Sequence, residues 1–266
     1  MDLWTSWLHT QLNWRTEPGL WVLSSVLVYI LATWLTWLLM PWLQSHRPAR
    51  LPQIQTAGLR WGLQLVYLAG PAYLTLLLGI VSLRHMGLGE LDWVRSLGVG
   101  GTIALISLTL LLLVAWAYRR ALAAHPAPPV AHQVPQPPLG VLGLLIQAAA
   151  EQLHWALYRA TAIRWLLNLP ANVSLLDIKP AADPTYWGSW IGLGLVCAEW
   201  LLTPTFYTDL RWSGQAEDRY RRLALLLLTT VLFYFSRNLY LCWGAHAMAD
   251  IIVRRWCAPS VPSASV

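Results

Sequence analysis

Apolar residues along this chain gather in runs of about twenty, and polar residues fall between them. The runs cover residues 20–43, 61–83, 97–116, 139–163 and 186–202. A helix needs about 20 apolar residues to cross a bilayer, so each run predicts one transmembrane helix. The last run, 223–253, would be about 46 Å long as one helix, against a hydrocarbon core of about 30 Å. Ser236-Arg237-Asn238 interrupts it near its middle, and a tight polar turn there divides it into two short spans. The pattern predicts an all-α, polytopic transmembrane bundle of about seven spans, with six and eight as alternatives.

Proline sets the larger divisions. Residues 125–138 hold six prolines and read as an extended, solvated linker. The linker separates a three-span half, 20–124, from a four-span half, 139–253. Residues 1–19 are polar and Trp-rich, which suits a short interfacial helix. They lack a basic start followed by a small-residue cleavage site, so the first span is expected to be an uncleaved anchor. The tail, 254–266, ends in a small, polar, proline-containing stretch that reads as disordered.

Composition sharpens the membrane reading. The chain has 266 residues, of which 57% are hydrophobic and 11% charged, and its mean hydropathy is +0.48. Soluble domains carry about 25% charged residues. Many of the 18 tryptophans, such as Trp42, Trp61 and Trp187, sit at the ends of apolar runs, where an aromatic belt belongs. The net charge of +6 is almost all arginine, with no clustered basic face for nucleic acid. Its use is topological. With the amino terminus outside and the carboxyl terminus inside, seven spans put 11 arginines in inner segments and six basic residues in outer ones. The inner membrane of a bacterium is the expected location, with membrane lipids as partners. Cys197, Cys242 and Cys257 have no metal-type spacing and read as apolar core residues.

Two polar islands interrupt this apolar chain. Glu151, His154, Trp155 and Tyr158 lie three and four residues apart, on one helix face. Arg159 lies two turns from Glu151 on nearly the same side, so it could balance Glu151. Without that balance, Glu151 is poised as a general base. His246 and Asp250 form an i, i+4 pair in the last run, and Gly244, Ala245 and Ala247 beside them suit close approach of a helix or ligand. Ionisable groups at membrane depth cost about 2.5–3.5 kcal/mol each, so they usually have a task. Glu199, near the end of the fifth run, reads as an interfacial carboxylate.

The second half, residues 139–253, resembles the CAAX-protease and bacteriocin-processing family of intramembrane glutamic proteases. The stretch from Asn238 to Asp250 is similar to that family's last motif, a histidine with Asn or Asp four residues on. Glu151 matches the first glutamate of its Glu-Glu motif. Gln152 stands in place of the second, and Ala156 in place of the motif's arginine. The middle histidine has no match; Glu199 falls near its place. The resemblance implies a catalytic set of Glu151, His246 and Asp250, with His154 or Glu199 replacing the missing histidine. Arg159, Asn238 and Tyr158 would support it, and neither a metal nor another cofactor would be bound.

Three functions remain open at this point. The chain is an intramembrane endopeptidase acting on a membrane-embedded or lipidated peptide. Alternatively, it is a non-catalytic relative serving as an accessory subunit of a larger membrane complex. Third, His154 and His246 are axial ligands of a haem or pigment.

Overall fold

The computed structural model describes residues 17–45, 53–124, 139–168, 182–210 and 213–256. Residues 1–16, the linker 125–138 and the tail from 257 lie outside the described residues. Among the described residues every regular element is helical: α1 Pro18–Ser45, α2 Gln53–Leu77, α3 Leu83–Met86, α4 Trp93–Arg95, α5 Gly101–Ala124, α6 Gly140–Leu167, α7 Pro184–Leu201, α8 Pro204–Leu210, α9 Ser213–Ser236 and α10 Leu239–Trp256. A π-helical turn, Ser96–Gly100, joins α4 to α5.

Two helical stretches, Pro18–Leu39 and Trp93–Tyr118, are long and apolar enough to cross a membrane, with mean hydropathies of 2.0 and 2.4. Trp61–Leu77 and Leu239–Val253 are shorter apolar helices. The long stretches turn most of their surface outward, with Leu27, Val28 and Leu31 on α1 and Leu105, Leu110 and Val114 on α5 exposed.

The ends of these helices follow local chemistry. The run predicted over 61–83 stops at Leu77, because Gly79 takes a φ of +67°. Gly79 N–H donates to Leu76 O at 3.0 Å and Ile80 N–H to Thr75 O at 2.9 Å, a paired closure that caps the helix. The long last run does break at Ser236-Arg237-Asn238. Arg237 has a φ of +48°, and Asn238 Oδ1 accepts the Leu241 N–H at 3.2 Å, capping α10. Leu239 N–H donates to Gly87 O at 2.8 Å. Gly87 has a φ of +74°, and a Cβ there would lie 2.8 Å from Arg237 O, so only glycine lets the α3 turn seat against this break. Beyond it α10 runs to Trp256, so residues 254–256, assigned above to the tail, are helical.

The central element is α6. It packs against α1, α2, α3, α7 and α10, and from Ala150 to Ile163 only Leu153 is less than fully buried. A helix enclosed on every side belongs in a core. Leu157 of α6, Val196 of α7 and Leu225, Leu226, Leu232 and Phe233 of α9 fill that core. Close approach between helices occurs on α7, not on α10. Gly244 has open space beside it. A Cβ on Gly192 would lie 2.9 Å from the Arg159 backbone, and one on Gly188 2.8 Å from Ile163 N. Glycines at this i, i+4 spacing let α6 and α7 approach to backbone contact.

Gly192→Val should therefore cost about 3 kcal/mol through overpacking. Gly194→Val, where a Cβ meets nothing, should be near neutral. Thermal unfolding of both variants in mild detergent checks this; equal melting temperatures would refute the close-contact argument.

Candidate functional site

The two polar islands of the sequence meet, Glu151 of α6 facing His246 of α10 at 3.6 Å. The first island is itself divided between two clusters. Glu151, Gln152 and Trp155 meet α9 and α10, whereas His154 and Tyr158 meet α2 and α7.

The first cluster surrounds Glu151, which is 5% exposed. Gln147, one turn back on α6, donates from Nε2 to Glu151 Oε1 at 3.0 Å. Arg222 Nη2 of α9 lies 3.7 Å from the same oxygen. His246 Nε2 of α10 lies 3.6 Å from Glu151 Oε2 and 3.9 Å from Asp250 Oδ2. Gln152 Nε2 sits 3.0 Å from His246 Nδ1 and donates to Thr229 Oγ1 at 3.3 Å. With the amide assigned this way, the His246 Nε2 proton faces the carboxylates. The Trp155 ring stacks on the imidazole at 5.3 Å and 14°. Arg221 Nε lies 3.0 Å from Asp250 Oδ1, close enough for an ion pair but angled away from a hydrogen bond. Asp218 pairs with Arg221 and, at 3.2 Å, with Arg222 Nε. Three carboxylates and two guanidiniums are thus interleaved around one imidazole.

The second cluster surrounds Glu199. This carboxylate is 2% exposed, so it is not the interfacial group expected from its place near a helix end. Tyr67 Oη donates to Glu199 Oε1 at 2.9 Å and Tyr158 Oη to Oε2 at 2.7 Å. His154 Nε2 lies 2.9 Å from the same Oε2. Tyr29 of α1 stacks on Tyr67 at 4.7 Å. The carboxylate of α7 is therefore held by two other helices, α2 and α6.

Arg159 does not balance Glu151. Its Nη1 donates to Thr229 O at 3.1 Å, and its guanidinium lies 4.4 Å over the Phe233 ring. Arg222 takes the role expected of Arg159. Asn238 caps α10 and is remote from His246 by position, two turns earlier on that helix. Cys242 is fully buried and Cys197 partly so; Cys257 lies outside the described residues. Among the described residues no three His, Cys, Asp or Glu side chains form a metal-binding group.

Sequence reasoning missed Tyr67, Gln147, Arg221 and Arg222. Two signals were available. Gln147 stands four residues before Glu151, and Asp218, Arg221 and Arg222 share i, i+3 and i, i+4 spacing at the polar start of an apolar run. Tyr67 left none, since a tyrosine inside an apolar run is unremarkable before its partner is known.

Chemically, the two Glu151 oxygens differ. One receives Gln147 and faces Arg222, and the other faces His246. His246 has Gln152 at Nδ1 and Trp155 on its ring, and its Nε2 faces Glu151 and Asp250 at 3.6 and 3.9 Å. His154 retains Nδ1, which is buried without a hydrogen-bond partner. No family model, curated protein or solved structure matches this chain.

Arg222→Gln should destabilise the fold by about 3 kcal/mol, because it leaves Glu151 buried without its cation. Adding Glu151→Gln should restore much of that loss. Thermal or denaturant unfolding of the single and double variants gives the coupling between the two residues, and additive effects would show that the pair does not interact.

Proposed function

We propose that this chain is a polytopic integral membrane protein of about seven spans, and that its second half is a non-catalytic relative of the CAAX-protease and bacteriocin-processing family. In this reading its amino terminus is outside and its carboxyl terminus inside the inner membrane of a bacterium. It serves there as an accessory subunit of a larger membrane complex. The apolar outer faces of α1 and α5 supply surfaces for lipid and for neighbouring subunits.

The observation that carries the reading is the enclosure of Glu151 by fixed neighbours. A general base needs an oxygen within hydrogen-bond reach of a water or substrate proton. Here Gln147 donates to one oxygen at 3.0 Å, Arg222 stands 3.7 Å from it, His246 faces the other at 3.6 Å, and Trp155, 2% exposed, covers the histidine. The replacements at Gln152 and Ala156, and Glu199 where a histidine is expected, support the same conclusion. Glu199 is engaged by two tyrosines and His154 instead of facing Glu151.

One observation favours the peptidase. Glu151 and His246 meet at 3.6 Å across α6 and α10, as a shared activated water would require after a small opening of the cluster. Its substrate would be a membrane-embedded or lipidated peptide.

Two measurements separate the readings. The tagged full-length chain, extracted in mild detergent, should co-purify with a membrane protein in fixed stoichiometry. In host membranes, Glu151→Gln and His246→Ala should leave the pattern of processed membrane peptides unchanged. Loss of one cleavage product in both variants, from a protein that purifies alone, would establish the peptidase instead.

A further inference from the structure

Where α9 turns into α10, the loop before α4 and the start of α7 enclose a recess of about 520 Å³. Ligand pockets in proteins span about 300–1,000 Å³. Its charged lining is Glu90, Asp92, Arg95, Asp183 and Arg237, with Tyr234 beside them. It lies away from the buried clusters on α6 and shares no residue with them.

Its charges are separated. Glu90 is paired with Arg84 at 3.2 Å. Asp183 receives the Tyr186 N–H at 3.0 Å and the Tyr234 hydroxyl at 3.4 Å, and Asp92 Oδ1 receives the Arg95 N–H at 3.0 Å. Neither aspartate has a cationic partner among the described residues, and neither Arg95 nor Arg237 has an anionic one. Both arginines are exposed. Two guanidiniums without ion partners and two carboxylates with only neutral donors thus line one concave space. They are complementary to a ligand that carries a negative and a positive charge a few bonds apart.

Position identifies the source of that ligand. The recess opens at the start of the apolar stretch Trp93–Tyr118. Exposed Trp93 and Tyr240 meet at 6.0 Å on its flank, and Tyr186 meets Tyr234 at 5.4 Å. Aromatic side chains in this arrangement mark the level of lipid headgroups. Guanidinium forks suit phosphate oxygens, and carboxylates suit the N–H donors of a primary ammonium. We infer that this recess binds the phosphoethanolamine headgroup of a phospholipid, with the phosphate on Arg95 and Arg237 and the ammonium on Asp92 and Asp183. The inference rests on the membrane reading of Trp93–Tyr118 and is independent of whether Glu151 is catalytic.

The test uses the delipidated full-length chain in mild detergent, with bound lipid read by native mass spectrometry. Phosphatidylethanolamine should be retained about tenfold better than phosphatidylglycerol, and Arg95→Gln/Arg237→Gln should lose about tenfold in retention. Asp92→Asn, which keeps a capping side chain, should move the preference toward phosphatidylglycerol. Arg120→Gln, outside the recess, should change nothing. Circular dichroism confirms that each variant is folded; if the double variant is not, either single arginine variant should lose about threefold. Equal retention of the two lipids, or undiminished retention in a folded arginine variant, would overturn the proposal. Displacement of the lipid by millimolar inorganic phosphate as readily as by free phosphoethanolamine would also overturn it, assigning the recess to phosphate alone. Partition of the chain into the aqueous phase of a detergent phase separation would instead refute the membrane reading beneath it.

Discussion

The contact of Glu151 with Arg222 and His246 is the interaction on which this arrangement depends. A carboxylate moved from water into protein interior loses hydration worth several kcal/mol, and only a partner of opposite charge or several donors can offset that loss. Among the described helices, Glu151 sits on the one enclosed along most of its length, so every partner must come from a different helix or an adjacent turn. Arg222 fixes α9, His246 fixes α10 and Gln147 fixes the turn before. The same rule operates three residues on, where His154 and Tyr158 bring Glu199 of α7 and Tyr67 of α2 to one point. A single apolar helix in the position of α6 could rotate or slide with little change in energy. With these groups it has one register.

Close contact at Gly188 and Gly192 depends on that register. Those glycines accept the backbone of Ile163 and Arg159, and a rotation of α6 would bring side chains against them instead. Arg159 illustrates the limit of such pairing. It lies against Gly192 with its guanidinium over Phe233, and two of its nitrogens lack hydrogen bonds. The aromatic face supplies part of the missing compensation, since an attraction of about 2 kcal/mol is attainable when cation and ring are desolvated.

The sequence revealed the elements better than their partners, for a physical reason. An apolar run is a local property, and so is a break such as Ser236-Arg237-Asn238; both were legible. The early stop at Leu77 was not read, although Gly79 signals it, because the apolar residues beyond it, Ile80 and Val81, are core residues of the turn and prolong the hydrophobic pattern. Pairing between helices is not local. Spacing correctly joined His246 to Asp250 on one helix, yet it pointed Arg159 toward Glu151, because a helical wheel shows only residues of the same helix. The true cation, Arg222, lies 71 positions away in sequence and could be found only once α9 was folded beside α6. Glu199 misled for a related reason. Closeness to a helix end suggests water, but a neighbouring helix can cover that end, as α2 does through Tyr67.

What separates a catalytic carboxylate from a structural one is the state of its lone pairs, not its identity or depth. Catalysis needs an oxygen that can exchange partners during the reaction, and a network that uses every oxygen resists that exchange. Around Glu151 one oxygen accepts from Gln147 and faces Arg222, the other faces His246 at 3.6 Å, and moving Arg222 would strand a buried charge. Two residues at which this chain departs from the pattern it resembles sit in these networks. Gln152 links His246 to Thr229 where a second acid would compete for the imidazole. Glu199 withdraws His154 and Tyr158 into a separate cluster. On the proposed non-catalytic reading, the polar interior of α6 acts as a set of fasteners. Among the described residues, the apolar flanks of α1 and α5 and the charged recess at the α9–α10 turn are surfaces open to other molecules.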